Sequence, residues 1–256
     1  MRRRIASRYG GREPTESPPE VTRLEGTILV TGGTGALGTA AVGELLTTGA
    51  RVVATWIVPA ERDRVSEELG SHELLELCEA DCSTEPGAAA AVEVAARHAP
   101  LAALVNLIGG YASGGRTHEA PADELHRMIH LNLMTAYWTT RAALPAMVAQ
   151  GGGSVVCVGA KAALQPFKGS PAYNVAKAAV VAFVRSLAID YRDDGIRANA
   201  VLPSVIDTPA NREQMPTADH SKWVPPVQIA RVIRFLCSPD SAPTSGAAIP
   251  VYGRSG

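Results

Sequence analysis

Hydrophobic positions occur in short, continuously apolar runs that alternate with longer segments of helical composition. A strand that is apolar at every position is buried on both faces, which is typical of a parallel sheet covered by helices. The alternation therefore predicts a doubly wound α/β fold, a parallel sheet of about seven strands with helices on both faces. The predicted strands are TILVT, RVVATW, LLELCEA, LAALVNLIG, GSVVCVG, IRANAVLP and AAIPVYG.

The segments between these runs predict the helices, including one long helix from about Asp123 to Gln150 and another over Ala172–Tyr191. Residues 1–25 are rich in Arg, Gly, Pro, Ser and Glu, which predicts a disordered tail. Residues 26–256 then form a single domain. Five prolines mark residues 203–226 as a long loop, which we expect to be functional or mobile and to contact the substrate.

The composition limits the kinds of partner that the protein is expected to bind. The net charge is −1, so there is no electrostatic case for nucleic acid or a membrane surface. No apolar run approaches the roughly 20 residues of a membrane helix. The four cysteines form no C-x-x-C pair, which favours reduced thiols. We expect a cytoplasmic protein that acts on a small-molecule substrate, without nucleic-acid or membrane partners.

A glycine-rich turn, TGGTGALG, joins the first strand to the first helix. Gly32 and Gly33 permit a tight turn, and Gly35 and Gly38 keep Cβ atoms away from a pyrophosphate and from the helix–strand contact. The helix N-terminus adds free N–H groups and a favourable dipole. The position of this turn in a repeating βαβ chain predicts a Rossmann-type dinucleotide site.

The end of the second strand bears on the choice of cofactor. An acid there would bind the adenosine ribose, but this chain has Trp56. Without that acid, a 2′-phosphate is not repelled, and Arg62 and Arg64 follow within two turns. This pattern favours NADP(H) over NAD(H), although both arginines also fit the surface of an amphipathic helix.

Tyr173 and Lys177 lie four residues apart and so project from one helix face. A nearby ammonium favours the phenolate and should lower the pKa of Tyr173 from its usual value of about 10. Tyr173 could then exchange a proton with a substrate near neutral pH. The alternative for the pair alone is a structural tyrosine and a surface lysine.

Taken together, these motifs resemble the classical short-chain dehydrogenase/reductase family over about residues 26–254. The resemblance implies an NAD(P)(H)-dependent oxidoreductase with Tyr173 as acid/base, Lys177 as its modulator and Asn132, in HLNLMTA, in a proton relay. It also implies a homodimer or homotetramer formed through the long helix. The cofactor-binding residues that it implies are Gly32, Gly33, Thr34, Gly35, Ala36, Leu37, Gly38, Asp81, Asn106, Gly109, Tyr173, Lys177, Pro203, Ile206 and Thr208.

The chain departs from the family pattern at Ala160, where the family has a catalytic Ser. The enzyme could be weakened, or Ser170 or Lys161 could compensate. A third interpretation is the dihydropteridine reductase branch, which is similar in GAKAAL, in GGYASGG and in the segment around Trp223. That branch implies reduction of a quinonoid pterin, although it prefers NADH. The alternatives are a general ketone/alcohol oxidoreductase of the same family and a dinucleotide-binding sensor without turnover.

The sequence patterns leave the roles of three further features open. His126 and His130 have a spacing that a metal could use, but no third ligand accompanies them, and we expect no metal site. Trp223 could stack on a flat substrate or anchor its loop. The long helix has an apolar face that could contact a second subunit or its own sheet, formed by Leu125, Ile129, Leu133, Ala136 and Leu144.

Overall fold

The computed structural model describes residues 22–98 and 100–255. Its seven parallel strands form one sheet in the order β3-β2-β1-β4-β5-β6-β7, so the predicted Rossmann-type fold is confirmed. Reversal of the strand order between β1 and β4 opens a crevice at their carboxyl ends, where such folds bind ligands. The strands are β1 Thr27–Thr31, β2 Arg51–Trp56, β3 Leu75–Glu79, β4 Leu101–Asn106, β5 Gly153–Val158, β6 Ile196–Pro203 and β7 Ala248–Val251.

Helices cover both faces of the sheet because alternate residues of each central strand point to opposite sides. In β1, Leu29 belongs to the core formed with α3, α5 and α6, whereas Ile28 and Val30 belong to the core formed with α1 and α8. The helices are α1 Ala36–Leu46, α2 Pro59–Leu69, α3 Glu85–Ala96, α4 Glu124–Ile129, α5 Thr135–Gln150, α6 Pro171–Asp190, α7 Pro209–Gln214 and α8 Pro226–Cys237.

The predicted long helix from Asp123 to Gln150 is interrupted. A π-helical turn, His130–Met134, separates α4 from α5. The turn carries Asn132, whose side-chain amide is bonded to the loop after β4. Such a turn re-aims the residues that follow it and often occurs at functional sites, and apolar periodicity does not reveal it.

The apolar face predicted on this helix is divided between two environments. Ala136 and Leu144 are buried in the core of their own chain, so packing on the sheet accounts for them. Leu125 is exposed instead. The solvent-facing side of α5 carries Tyr137 and Val148, which the pattern did not single out.

The segment after β6 is more ordered than the predicted loop over residues 203–226. It contains α7 and a 3₁₀ turn, His220–Lys222, and a bridge between Ile206 and Val224 joins its two ends. Trp223 is 8% exposed and packs on His220 with ring centroids 4.3 Å apart. Trp223 therefore anchors the segment.

Residues 1–21 of the predicted tail lie outside the described residues. Two of the next four residues contact the domain. Thr22 Oγ1 donates to Asp240 Oδ2 at 2.6 Å, and Leu24 is buried beside α1. The side chain of Leu24 therefore contributes to one face of the core.

Within the described part of the chain, α6 is the one helix whose length and composition match those of a membrane span. Its inner face packs in the core through Val180, Val184 and Leu187, and Lys177 is buried on the same helix. Packing against the sheet accounts for its long apolar sequence.

Candidate active site

The predicted site residues converge at the carboxyl ends of the parallel strands. The glycine turn follows β1, Gly109 follows β4, Ala160 follows β5, and Pro203 ends β6. Helix α6 then carries Tyr173 and Lys177 in its first two turns. The architecture therefore brings five distant segments to one edge of the sheet.

The glycine turn needs glycine for separate reasons at its different positions. Gly32 has a φ of +66°, in the left-handed region that favours glycine. A Cβ at Gly38 would lie 2.2 Å from the Gly32 carbonyl oxygen, so this glycine lets α1 approach the turn. A Cβ at Gly35 would meet nothing closer than 3.6 Å, so this position faces open space.

The N-terminus of α1 is free to receive an anion. Its N-cap residue, Gly35, has no side chain, and no acidic residue lies in the first turn. The first N–H groups of a helix, here those of Ala36, Leu37 and Gly38, have no partner within the helix. A dinucleotide pyrophosphate matches these donors in charge and geometry.

The first turns of α2 close around the glycine turn. Thr34 Oγ1 donates to Glu61 Oε2 at 3.1 Å, and the Arg64 guanidinium donates to the Thr34 carbonyl oxygen. We name these contacts of Glu61 and Arg64 with Thr34 the α2 clasp. Sequence reasoning missed Glu61, whose only signal is an acid in the first turn of the helix after β2.

Trp56 and Arg62 form a second contact beside this clasp. The Arg62 guanidinium carbon lies 4.9 Å from the centroid of the Trp56 ring. The same guanidinium bonds to Asp63 Oδ1 through Nε at 2.8 Å and Nη2 at 2.6 Å. The end of β2 thus presents a cation on an aromatic face where the fold's usual acid would stand.

Two other predicted cofactor residues have different surroundings. Asp81 is exposed after β3, and its hydrogen bonds with Ser83 hold the pKa of its carboxyl below the usual value. The side chain of Asn106 is enclosed in the core, where it accepts from Thr139 Oγ1 at 2.6 Å and donates to Thr140 Oγ1 at 3.2 Å. Both the oxygen and the nitrogen of its amide are therefore used in hydrogen bonds that join β4 to α5.

Lys177 and Tyr173 are neighbours, but the predicted lowering of the tyrosine pKa is wrong for this structure. Burial raises the pKa of Tyr173 to about 12, with a smaller contribution from Tyr111. Lys177 Nζ donates to the Val158 carbonyl oxygen at 3.0 Å and lies 5.9 Å from the Tyr173 ring centroid. Burial lowers the pKa of Lys177 to about 8. Desolvation is the main cause of both shifts.

Asn132 and Gly109 complete the surroundings of Lys177. The Asn132 amide accepts from Gly110 N at 3.1 Å and donates to the carbonyl oxygens of Gly110 and Met128, both at 3.0 Å. A Cβ at Gly109 would lie 2.7 Å from Asn132 Oδ1 and 3.1 Å from Lys177 Nζ. Asn132 therefore fixes the loop after β4 against the lysine.

The two residues considered as substitutes for the absent serine differ. Lys161 is directed away from Tyr173, since its Nζ donates to the Ser255 carbonyl oxygen and lies 5.1 Å from the Tyr252 ring centroid. Ser170 is fully buried, and its Oγ lies 3.1 Å from the hydroxyl of Tyr111. Of the two, Ser170 is connected to the surroundings of Tyr173.

Three aromatic rings meet at this point. Tyr111 is edge-on to Tyr173 with centroids 5.1 Å apart, and Phe167 lies 6.2 Å from Tyr111 and 6.3 Å from Tyr173. Asn174 Nδ2 donates to the Phe167 carbonyl oxygen at 2.9 Å and holds that loop in place. We name Tyr111, Phe167 and Tyr173 the aromatic cluster. Sequence reasoning did not single out Tyr111 or Phe167, because they lie in separate loops.

A family model described as short chain dehydrogenase matches residues 26–219. The chain belongs to the short-chain dehydrogenase family. It is 33% identical over 162 residues to the 2-(R)-hydroxypropyl-CoM dehydrogenase of Xanthobacter autotrophicus, covering 59% of this chain and 65% of that protein. The matched stretch spans 65, 54 and 64% of the length of three curated relatives.

Two other matches cover most of this short-chain dehydrogenase. The 2,3-dihydroxy-2,3-dihydro-p-cumate dehydrogenase of Pseudomonas putida is 31% identical over 253 residues, covering 91% of this chain and 95% of that one. The NADPH-bound structure of a short chain oxidoreductase from Pseudomonas aeruginosa PAO1, described as containing an atypical catalytic center, is 26% identical with a TM-score of 0.80. It covers 89% of this chain and 95% of that chain.

The remaining predicted residues lie at the end of β6 and in the segment after it. Pro203 is buried at the end of the strand, Ile206 forms the bridge to Val224, and Thr208 caps α7 by accepting from Asn211 N at 3.2 Å. His126 and His130 are exposed. Among the residues that the structure describes, no group of three metal-ligating side chains occurs.

A surface cavity of about 770 Å³ lies at the opposite end of the sheet, where β6 begins. Its lining includes Arg185, Ile189, Arg192 and Arg197, and none of the predicted site residues. Arg197 is held there by the carbonyl oxygens of Leu236, Ser238 and Ser241. The predicted site residues are therefore separate from this cavity.

Lys177→Met is expected to remove one pH-dependent contribution to stability. Between pH 8 and 10.5 the folded wild type loses the Lys177 proton while the unfolded chain keeps it, so Lys177 contributes a rise in the free energy of unfolding through that window, on the order of 1–3 kcal/mol. The buried cysteines contribute with the opposite sign in both proteins, so the variant is compared with the wild type at each pH. Urea titrations of both proteins at about pH 7.5 and 9.5 measure the difference. The same pH dependence in both proteins would contradict burial of the charged lysine.

Proposed function

We propose that this short-chain dehydrogenase reduces a flat, conjugated ring, with a quinonoid dihydropteridine as the specific candidate. A bound nicotinamide cofactor would supply the hydride, and Tyr173 would supply the proton. The observation that carries the proposal is the aromatic cluster that Tyr111 and Phe167 form with Tyr173. Residue 160, which follows β5, is alanine and offers no hydroxyl. The two exposed members of the cluster, Tyr111 and Phe167, offer apolar faces to a planar ligand.

The residues present fit a nicotinamide dinucleotide. We assign the pyrophosphate to Gly32–Gly38 with its uncapped helix N-terminus, the adenine to Asp81, and the nicotinamide side to Gly109, Tyr173 and Lys177. The segment with Pro203, Ile206 and Thr208 covers the same edge of the sheet. When bound, the cofactor supplies the hydride, and the side chains of this chain supply orientation and the proton.

The protonation state of Tyr173 supports reduction. A phenol with a pKa of about 12 keeps its proton at neutral pH and can act as an acid. It transfers that proton to the ring atom that becomes negative when the hydride arrives, and it regains a proton from solvent. Lys177, whose Nζ stands beside Gly109, offers a cationic donor to the cofactor side of the site.

The absence of a hydroxyl at residue 160 favours a ring over a simple ketone. A ketone develops full charge on one oxygen, and loss of one donor in comparable oxyanion sites costs about 10²–10³-fold in rate. A conjugated ring spreads that charge over several atoms. Neither relative named above refers to a pteridine in its name, so the support for this substrate lies in the site itself.

Turnover of defined probes tests the proposal. Purified protein would be mixed with NADPH or NADH and, separately, with freshly generated quinonoid dihydropterin, 9,10-phenanthrenequinone or cyclohexanone. Cofactor oxidation with the planar probes and little with cyclohexanone is expected. Preferred reduction of cyclohexanone would instead support a general ketone reductase. Tight cofactor binding without turnover of any probe would support a dinucleotide sensor.

Arg62→Ala is expected to weaken NADPH binding more than NADH binding. We propose that the Arg62 guanidinium, held on the face of Trp56, contacts the 2′-phosphate. Charge-assisted hydrogen bonds contribute about 1.5–3 kcal/mol, so the Kd for NADPH should rise about 10–100-fold. Fluorescence titration of both cofactors measures this change, with Arg185→Ala at the far end of the sheet as the control. An equal loss for both cofactors would contradict phosphate recognition.

We also propose that two copies of the chain associate through α4, α5 and α6. These helices expose large apolar side chains on their outer faces: Leu125, Tyr137, Val148 and Val175. Covering such side chains with a second copy removes apolar surface from water. Size-exclusion chromatography with light scattering tests this, and the mass of a single chain at micromolar concentration would contradict it.

A cytoplasmic location is part of the same proposal. The four cysteines are free, and Cys82, Cys157 and Cys237 are buried. Burial raises the pKa of Cys82 and Cys157 to about 11, which keeps both thiols protonated and unreactive. Reduced thiols of this kind suit a reducing compartment. Recovery of the native protein outside the cytoplasmic fraction would argue against the assignment.

A further inference from the structure

Tyr111 is joined to the catalytic tyrosine through both its ring and its hydroxyl. The ring is edge-on to Tyr173 at 5.1 Å between centroids, and the hydroxyl lies 3.1 Å from Ser170 Oγ. Tyr111 is 54% exposed, whereas Ser170 is fully buried. The pair therefore links an enclosed hydroxyl to one at the open side of the aromatic cluster.

Ser170 does not perform the function that its position predicts. It is the N-cap residue of α6, where a serine hydroxyl usually accepts from the first turn of the helix. Its side chain makes no such cap, and its hydroxyl bonds to Tyr111 instead. A capping serine stabilises its helix, so the alternative use of this hydroxyl forgoes a stabilising contact.

The hydroxyl groups of Tyr111 and Ser170 have one more proton than the hydrogen bond between them uses. Two hydroxyls carry two protons, but a single hydrogen bond between them uses one. Because buried donors are nearly always satisfied, the favoured arrangement has Ser170 donating to Tyr111. The Tyr111 proton is then available to another acceptor. An acceptor atom bound at the Tyr173 phenol would lie near this second hydroxyl, because the two rings are in edge contact and Tyr111 contributes to the raised pKa of the Tyr173 phenol.

We propose that Tyr111, oriented by Ser170, donates a second hydrogen bond to the substrate atom that Tyr173 protonates. This inference rests on the proposed function. Tyr111 keeps its own proton throughout, because hydride comes from NAD(P)H and the transferred proton from Tyr173. In these terms Tyr111 is a catalytic residue and Ser170 is its positioning residue.

The proposal selects substrates with a hydrogen-bond acceptor at the reacting edge of a flat ring. A carbonyl oxygen has two lone pairs and can accept from two hydroxyls at once. Phe167, 6.2 Å from the ring of Tyr111, adds an apolar wall but no donor. The aromatic cluster thereby combines a face for the ring with two phenols for one acceptor.

Tyr111→Phe tests the proposal because it removes the hydroxyl and keeps the ring. With NADPH and quinonoid dihydropterin or 9,10-phenanthrenequinone, kcat/KM is expected to fall about 10–100-fold, while the Kd for NADPH stays within about 2-fold. Ser170→Ala should give a smaller fall, since the phenol remains but loses its orientation. Tyr191→Phe, at the other end of α6, is the matched control and should leave kcat/KM unchanged.

A rescue experiment separates catalysis from packing. Ala160→Ser added to Tyr111→Phe should recover much of the lost kcat/KM, because a hydroxyl returns to the site. A Tyr111→Phe variant with unchanged kcat/KM, with lost NADPH binding, or with no recovery in the double variant would overturn the proposal. Failure of the wild type on both planar probes would instead refute the proposed function, and this proposal with it.

Discussion

Tyr173→Phe is expected to lower kcat for reduction of the planar probes by about 10²–10⁴-fold, the usual contribution of a positioned general acid. The substitution removes one oxygen and keeps the ring that packs against Tyr111 and Phe167. Burial holds the pKa of the phenol at about 12, so the wild-type group is a protonated acid over the whole physiological range. Steady-state kinetics with NADPH measures the change.

Two comparisons make this result specific. The Kd for NADPH should change less than about 3-fold, because the phenol oxygen is not part of the phosphate site. Tyr137→Phe, an identical chemical change on the outer side of α5, should leave kcat at the wild-type value. Retention of more than about a tenth of wild-type kcat by Tyr173→Phe would remove this residue from the role of proton donor.

Gly38→Ala is expected to abolish dinucleotide binding and to destabilise the fold. The added Cβ would lie 2.2 Å from the Gly32 carbonyl oxygen and 2.6 Å from the Gly33 carbonyl carbon, and neither backbone atom can move without opening the turn. Overpacking of this kind costs about 1–3 kcal/mol. The Kd for NADPH should rise more than about 100-fold, since the donors of the turn no longer converge.

The same helix provides the control. A Cβ at Gly43 would meet only Leu69 Cδ2, at 3.5 Å, which is an ordinary van der Waals contact. Gly43→Ala should therefore stabilise α1 by about 0.5–1 kcal/mol, the gain expected from removing a glycine from a helix interior. Urea denaturation and NADPH titration of both variants measure the contrast. Equal behaviour of the two would show that the turn tolerates a side chain at residue 38.

The fold could be predicted from the sequence because a strand that is buried on both faces is apolar at nearly every position. TILVT is apolar or β-branched throughout, and its residues divide between two cores in the structure. The glycine turn was equally predictable, since the positive φ of Gly32 and the close backbone contact of Gly38 both favour glycine. These constraints are local, so the pattern of a few residues carries them.

Other features depend on contacts between distant segments and could not be predicted. The shifted pKa of Tyr173 arises from burial by loops that follow β4 and β5, and spacing from Lys177 gave the opposite direction. The π-helical turn at Asn132 accompanies a contact with Gly110, 22 residues away along the chain. Tyr111 and Ser170 are 59 residues apart, and neither has a motif that would connect them.

The α2 clasp has a consequence for any attempt to exchange the cofactor. Arg62, the residue proposed to select the phosphorylated cofactor, lies between Glu61 and Arg64 on the same helical turn, and both of these bond to Thr34 in the glycine turn. Replacing the whole β2–α2 segment with that of an NADH-specific enzyme would therefore weaken binding of the pyrophosphate, which both cofactors share. A redesign of cofactor specificity therefore has to change Trp56 and Arg62 while keeping Glu61 and Arg64.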